Sequence, residues 1–356
     1  LPRGSRAKRK ERHFEMENSK KQNPIKKFVS ARGVGQVLTV FAGLIILCAI
    51  FYWNNPNFLG KRNIANLLRQ IAPWIIVGIG QGYVLITANI DLSIGSVVGM
   101  SCMMIATLIC NGTHPVLAIL IAMVACLAVG VINGELVARC KLPPFVATLG
   151  TQTICRGIAQ LVNNNVNTDS IVSAGSKWRA AAESVQKFCY YGKTLGIFNT
   201  FWIALVLWAI FNFILSYTRT GRHIYAIGSN VEASKLSGVN VPLTIIKAYL
   251  VSAFCAGITG LITCAQSGTG TMNAGISYET FAVAASVIGG ISTMGGTGIL
   301  SAVLAGASVW AVMDNGLQML NTQVGLKNVV VGAIVILSVL IDVVRRTGKL
   351  SFKKKA

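Results

Sequence analysis

Apolar residues fall in long blocks, each about as long as a helix needs to cross a bilayer. At about 20 residues per crossing, they predict spans near 34–53, 66–88, 92–110, 115–138, 144–163, 200–217, 244–266, 278–292, 297–320 and 326–344. Two polar stretches separate them, 164–199 and 217–243. Two glycine clusters break the pattern: IDLSIGS at 90–96 and IGGISTMGGTG at 288–298. Both are too irregular for smooth helices. Broken backbone at membrane depth is tolerated only against protein or a water-filled cavity. Each cluster introduces a new span, which hints at an internal repeat of the kind many transporters carry.

Composition agrees with a bilayer as the solvent. The chain has 356 residues, 53% of them hydrophobic and only 12% charged; soluble domains carry about 25% charged residues. The formal charge of +21 is concentrated at the ends, with eleven Lys and Arg in residues 1–32 and six in 345–356. A basic total can signal nucleic-acid binding, but that needs a soluble scaffold, so no nucleic acid is expected. Basic ends on a membrane protein mark cytoplasmic sides. Ten spans put both termini inside, together with Arg139, Lys141, Arg219, Arg222 and Lys235, and put 164–199 outside. Lys177, Arg179, Lys187 and Lys193 in that outer stretch run against the rule, as do Lys61 and Arg62. Residues 1–33 then form a basic cytoplasmic tail, 34–344 the transmembrane domain, and 345–356 a second basic tail. LPRGS at the start looks like the remains of an engineered protease site, so 1–15 are set aside and Met16 is the expected native start. No cleavable signal peptide is expected, because the first apolar block comes late.

The chemistry-bearing residues are few. Asp91, Glu135, Glu279 and Asp314 are acids near the apolar region, where an acid is costly and often functional. Asp91 reads most simply as a helix-start residue. Asn133, Asn315 and Gln318 suit either cross-helix hydrogen bonds or a polar pathway. The pathway candidates are Asp91, Ser93, Gly95, Gly289, Gly290, Gly295, Gly296 and Asn315. Glycine pairs such as Gly78/Gly82, Gly95/Gly99 and Gly257/Gly260 suit close helix packing. The nine cysteines show no paired or metal-ligand spacing and mostly sit in apolar blocks, so neither a disulfide framework nor a metal site is expected. His13, His114 and His223 are isolated. There is no G-x-x-x-x-G-K-[ST] phosphate loop and no catalytic constellation. The chain is expected to bind no cofactor and to be no enzyme.

The 217–243 loop, YTRTGRHIYAIGSNVEASKLSGVNVPL, is different in kind. Gly221 and Gly228 punctuate it, and Asn230 is placed to cap a short amphipathic helix with Ala233 and Leu236 on one face and Glu232 and Lys235 exposed. Such a helix suits docking onto a soluble partner. Gly228, Asn230, Glu232, Ala233, Lys235, Leu236 and Gly238 are the expected contact.

At IDLSIGS, PPFVATLG (143–150), TRTGRHIYAIGSNVEASKLSGVNV (218–241) and ASVIGGISTMGGTG (285–298), the chain resembles the permease subunits of ribose/galactoside-type (carbohydrate uptake type 2) ABC importers, over residues 35 to 345. The resemblance implies an all-α, polytopic core of about ten helices with discontinuous segments. It implies a bacterial inner-membrane location and a pathway for a monosaccharide or similar small polar solute. The partners it implies are a second permease subunit (the same or a related chain), a periplasmic solute-binding protein, and a cytoplasmic tandem-cassette ATPase that holds the ATP. By that likeness Gly228–Gly238 would be the coupling helix region. Ser229 and Ser234 depart from the family's loop, and Thr280 and Phe281 stand where it usually has Leu-Asp. The alternative reading is a stand-alone secondary transporter or channel.

Overall fold

The computed structural model describes residues 34–173, 177–323 and part of 325–340. Both basic tails lie outside the described residues, and the tenth predicted span lies in them only in part. The other nine spans have counterparts: α1 (Val34–Asn54), α2 (Lys61–Ile86), α3 (Ile94–Cys110), α4 (Pro115–Ala138), α5 (Pro144–Leu161), α7 (Asn199–Tyr217), α10 (Val241–Ser267), α11 (Tyr278–Gly289) and α12 (Leu300–Met319). Shorter elements fill the polar stretches. Between α5 and α7 come α6 (Arg179–Gln186), a π turn (Lys187–Tyr191) and a small hairpin of β1 (Lys193–Thr194) and β2 (Ile197–Phe198). Between α7 and α10 come α8 (Arg219–Ser229) and α9 (Val231–Leu236).

Helix starts follow local chemistry. Pro115 and Pro144 occupy first-turn positions of α4 and α5, where a missing N–H costs nothing. Asn240 caps α10 by accepting from the Leu243 N–H at 3.0 Å. Among the described residues, α4, α7, α10 and α12 combine the length and apolarity of a membrane crossing. α2 is long enough too, at 26 residues and about 39 Å, but its first turns carry Lys61, Arg62 and Arg69.

α2, α3 and α10 form the centre, and small residues set their spacing. A Cβ on Gly130 of α4 would lie 2.7 Å from the Ala253 Cβ of α10, and one on Gly134 would lie 2.7 Å from the Ile246 Cα. On α2, a Cβ on Gly78 would lie 2.7 Å from Val303 of α12 and one on Gly82 would lie 2.7 Å from Ile291 in the 290–299 break, while Gly80 faces Ser252 on α10. Gly257 and Gly260 of α10 meet Met123 of α4 and Ser101 of α3. In a bilayer no hydrophobic drive presses helices together, so close backbone approach supplies the dispersion contacts. The outward faces of α1, α4 and α7 are apolar and exposed, including Ile45, Ile46, Leu120, Val124, Ile210 and Phe213, as lipid contact requires.

The bundle has two distinct ends. At one, residues 164–173 and 177–198 cover the α3–α4 turn and the first half of α2. The Trp178 indole donates to the Gly112 carbonyl, and the Arg69 guanidinium lies between the Tyr190 and Phe198 rings, 4.4 Å from each. At the other end stand the α4–α5 turn, α8, α9, the end of α2 and the 290–299 break.

α11 is the departure from a plain ten-span pattern. It has 12 residues, about 18 Å, against the roughly 30 Å of a hydrocarbon core. The predicted span over 278–292 is therefore only a half-crossing. Residues 268–277 cover the remaining depth as non-helical chain lying along α3. A Cβ on Gly270 would sit 2.9 Å from Ala106, one on Gly99 would sit 2.5 Å from the Ala274 carbonyl, and Gly275 abuts the Gly95 carbonyl.

Candidate functional site

The α8–α9 unit stands at the end of the bundle that carries exposed Arg139, Lys141, Arg219, Arg222, Lys235 and Lys247. Its build follows the sequence closely. Thr218 caps α8, with its Oγ1 accepting from Gly221 N at 3.4 Å. Asn230 caps α9, with its Oδ1 accepting from Ala233 N at 2.9 Å. Gly238, at φ +80°, ends α9. Ser234 turns inward and donates to the Asn230 carbonyl. Glu232, Ala233, Lys235 and Leu236 point outward. Leu236 is 89% exposed, an apolar side chain left entirely to solvent on a six-residue helix.

α8 is sewn to the end of α2 and to the second break. The backbone at Gly228 lies directly under the Ile86 carbonyl at the end of α2, and a Cβ there would stand 2.5 Å from Gly296 N. Gly296 N–H itself donates to that Ile86 carbonyl at 2.8 Å. The Tyr225 hydroxyl donates to the Gly298 carbonyl at 2.7 Å. Gly295 (φ +83°) and Gly296 (φ +71°) adopt the left-handed backbone that only glycine takes without cost. Their Cβ positions fall 2.6 Å from Ala88 Cβ and 2.5 Å from Ser229 Oγ. Gly290 (φ +100°) ends α11, and Gly289 lies against the Ala302 carbonyl of α12. So the end of α2, at Ile86 and Ala88, meets the second break, and both meet the loop.

Asp91 is more than a helix-start residue. Its Oδ1 accepts from Ser93 N (2.9 Å) and Ser93 Oγ (2.6 Å), and its Oδ2 accepts from Ser252 Oγ of α10 (2.6 Å). Ser93 Oγ accepts from Asn133 Nδ2 of α4 (2.9 Å), and Asn133 Oδ1 accepts from Thr151 Oγ1 of α5 (2.7 Å). Every member of this chain is buried. It ties four elements together with donors matched to acceptors, as a buried polar network must be. The Tyr249 hydroxyl adds a bond to the Ile90 carbonyl at 3.0 Å.

The pathway candidates do not form one site. Asp91 and Ser93 belong to the buried network. Gly95 faces Glu279, whose Oε2 abuts its Cβ position. Gly289, Gly290, Gly295 and Gly296 belong to the second break. Asn315 stands far from these: its Nδ2 donates to Gln70 Oε1 (3.1 Å) and its Oδ1 accepts from Asn63 Nδ2 (2.9 Å). Gln70 and Ile86 are 16 positions apart on α2, about 24 Å along its axis.

Two features escaped the sequence reading. One is the 268–277 descent. The other is what anchors it: Arg156, in the middle of α5, donates through Nη1 to the carbonyls of Met272 (3.0 Å) and Ala274 (2.7 Å). One turn away, Gln152 Nε2 reaches Glu279 Oε1 at 3.3 Å. The signal existed, since a lone cation inside an apolar helix is as costly as an acid.

A many-spanning helical bundle with a half-helix, packed breaks and a capped, exposed short helix is the architecture of a membrane permease. The family described as "Branched-chain amino acid transport system / permease component" matches residues 63–339, and the chain belongs to it. It is similar to the D-allose transport system permease protein AlsC of Escherichia coli K12, 34% identical over 84% of this chain and 89% of that one. It is similar to the ribose import permease protein RbsC of Haemophilus influenzae, 33% identical over 87% and 94%. The galactose/methyl galactoside import permease protein MglC of Escherichia coli K12 is 33% identical over 85% and 93%. No solved structure matches. Membership decides for an importer's permease subunit over the stand-alone carrier or channel.

Proposed function

We propose that this chain passes a monosaccharide or similar small polar solute across the bacterial inner membrane, driven by a separate tandem-cassette ATPase that docks on α9. It works with a second permease subunit and receives solute from a soluble binding protein at the 164–198 end. Both termini are cytoplasmic, because α8, α9 and the α4–α5 turn carry exposed cations. ATP stays on the partner, since the sequence has no phosphate loop.

The observation that carries this reading is the α8–α9 geometry. Leu236 is a free apolar knob, while α8 behind it is held to the end of α2 and to the 290–299 break. A push on α9 therefore reaches the end of α2 and the second break through backbone contacts. The Asp91 network and the glycine contacts hold the break beside α3 in one arrangement, against which that push acts. The sugar relatives favour a polyhydroxylated solute over the branched-chain amino acid of the family's description.

Reconstitution into proteoliposomes with the ATPase and the binding protein tests it. ATP-dependent uptake of D-ribose, D-allose or D-galactose, lost when this chain is left out, is the expected result. Uptake of branched-chain amino acids alone overturns the cargo, and uptake independent of ATP overturns the energy source.

A further inference from the structure

The outer segment and the 268–277 descent are joined edge to edge. The Thr168 N–H donates to the Gly270 carbonyl (3.0 Å) and the Ile171 N–H to the Gly268 carbonyl (2.9 Å). The Gly270 N–H returns a bond to Thr168 Oγ1 (2.8 Å), and the Met272 N–H donates to Asn167 Oδ1 (2.9 Å). The Thr168 hydroxyl spends its own proton on the Asp169 carbonyl, so its lone pairs are left for Gly270. Thr168 and Ile171 are buried at this seam. Non-helical chain entering a membrane finds its partners on other elements. Residues 268–272 therefore shift only by taking 167–171 along or by leaving peptide groups unpaired.

The descent runs straight into α11. Gly275 (φ +71°) and Ser277 (φ +65°) turn the chain between seam and helix. A left-handed serine is costly and persists only where its surroundings force it, so the joint is set by the parts it connects. At the far end α11 stops at Gly290, and the chain beyond it is bound to α8, with the Tyr225 hydroxyl on the Gly298 carbonyl and Gly296 against Ser229. One covalent run, 268–299, thus begins on the outer segment and finishes on α8, hydrogen-bonded to its neighbour at each end. The glycine contacts elsewhere in the bundle are sideways dispersion contacts and lack this direction.

We propose that the seam between 167–171 and 268–272 passes the engagement of a soluble binding protein at the outer face to α11, and through the 290–299 break to α8, with Thr168 as its positioning residue. This rests on the permease reading and adds to it the route by which one face of the membrane reports to the other. Thr168 acts through Gly270. Its burial means that a change there alters the seam and not the surface offered to the binding protein.

The test uses permease and ATPase together in proteoliposomes. Cys48, Cys110 and Cys140, the cysteines that are not buried, are replaced by Ser. An environment-sensitive fluorophore is placed on Thr280→Cys, an exposed position in the first turn of α11. In the parent, binding protein charged with D-ribose, D-allose or D-galactose should shift the emission and stimulate ATP hydrolysis. Thr168→Val keeps the shape and removes the acceptor of the Gly270 N–H. It should lose the emission shift and cut the maximal stimulation roughly fivefold or more, the scale of coupling between sites. Unstimulated hydrolysis and the half-stimulating concentration of binding protein should not change. Thr168→Ser keeps the hydroxyl and should match the parent, as should Ser184→Ala, whose hydroxyl bonds within its own helix. Tyr225→Phe, at the far end of the run, should keep the emission shift and lose the stimulation. Stimulation of Thr168→Val equal to the parent's overturns the relay, as does a change in its half-stimulating concentration alone or a Thr168→Ser variant as impaired as Thr168→Val. If Thr168→Val does not assemble, the parent's emission shift and the Tyr225→Phe split decide, and absence of either overturns the relay. Sedimentation of the binding protein with the vesicles is read separately. No binding to the parent sinks the permease reading, whereas binding without an emission shift sinks the relay alone.

Discussion

Leu236→Asp separates docking from folding. Leu236 is 89% exposed, and α9 owes its start to Asn230 and its end to Gly238, neither of which the change touches. Folding stability should therefore move by no more than about 0.5 kcal/mol, as for an ordinary surface substitution. Docked in an ATPase groove, the same side chain would gain about 1.5–3 kcal/mol from burial. Leu236→Ala forfeits most of that, and about 2 kcal/mol weakens ATPase binding roughly thirtyfold. Leu236→Asp adds the cost of an unpaired carboxylate in the contact, several kcal/mol more. The assay is pull-down of the ATPase by the purified permease, with thermal unfolding of the permease alone as the control. The expected pattern is an unchanged unfolding temperature, weakened binding for Leu236→Ala, and no recovery of the ATPase for Leu236→Asp. Normal ATPase recovery and solute-stimulated ATP hydrolysis in Leu236→Asp would refute α9 as the contact.

Gly296→Leu should abolish assembly or transport, since its φ of +71° and a Cβ position 2.5 Å from Ser229 Oγ leave no room; wild-type expression with full uptake would count against the packed break. Ser252→Ala removes the donor to Asp91 Oδ2 and should cost about 1–3 kcal/mol, seen as a lower unfolding temperature in detergent. Ser184→Ala, on exposed α6, should leave that temperature unchanged, and equal behaviour of the two would remove the network's importance. Cysteine labelling from either side of the membrane should place Thr218 and Ala356 in the cytoplasm and 164–198 outside; a C-terminus labelled from outside would overturn the topology.

The spans were legible because hydrocarbon leaves the backbone so little choice. Twenty apolar residues with no water to satisfy their amides must be helix, so the 115–138 block is α4 residue for residue. The α9 cap was legible for an equally local reason: an Asn side chain reaches an N–H three positions on, and nothing distant needs to be known. Glycine counts, by contrast, carried no address. Gly150 and Gly228 read alike in sequence, yet one has no neighbour within 4 Å and the other lies under the Ile86 carbonyl.

The 268–277 descent shows the limit most clearly. Its backbone groups are satisfied from far along the chain. Thr168 Oγ1 accepts from Gly270 N (2.8 Å), Asn167 Oδ1 accepts from Met272 N (2.9 Å), and Arg156 donates to the carbonyls of Met272 and Ala274. A helix carries its hydrogen-bond partners four residues away, so periodicity reveals it. A non-helical crossing borrows its partners from other elements, and the sequence of the segment holds no trace of them. The sequence by itself determined the solvent, the placing of most spans and the capped loop, because those depend on neighbours along the chain. Which polar residues are sealed with Asp91 and which, like Arg156, reach over to the 268–277 descent was decided only by folding, because it depends on which helices stand side by side.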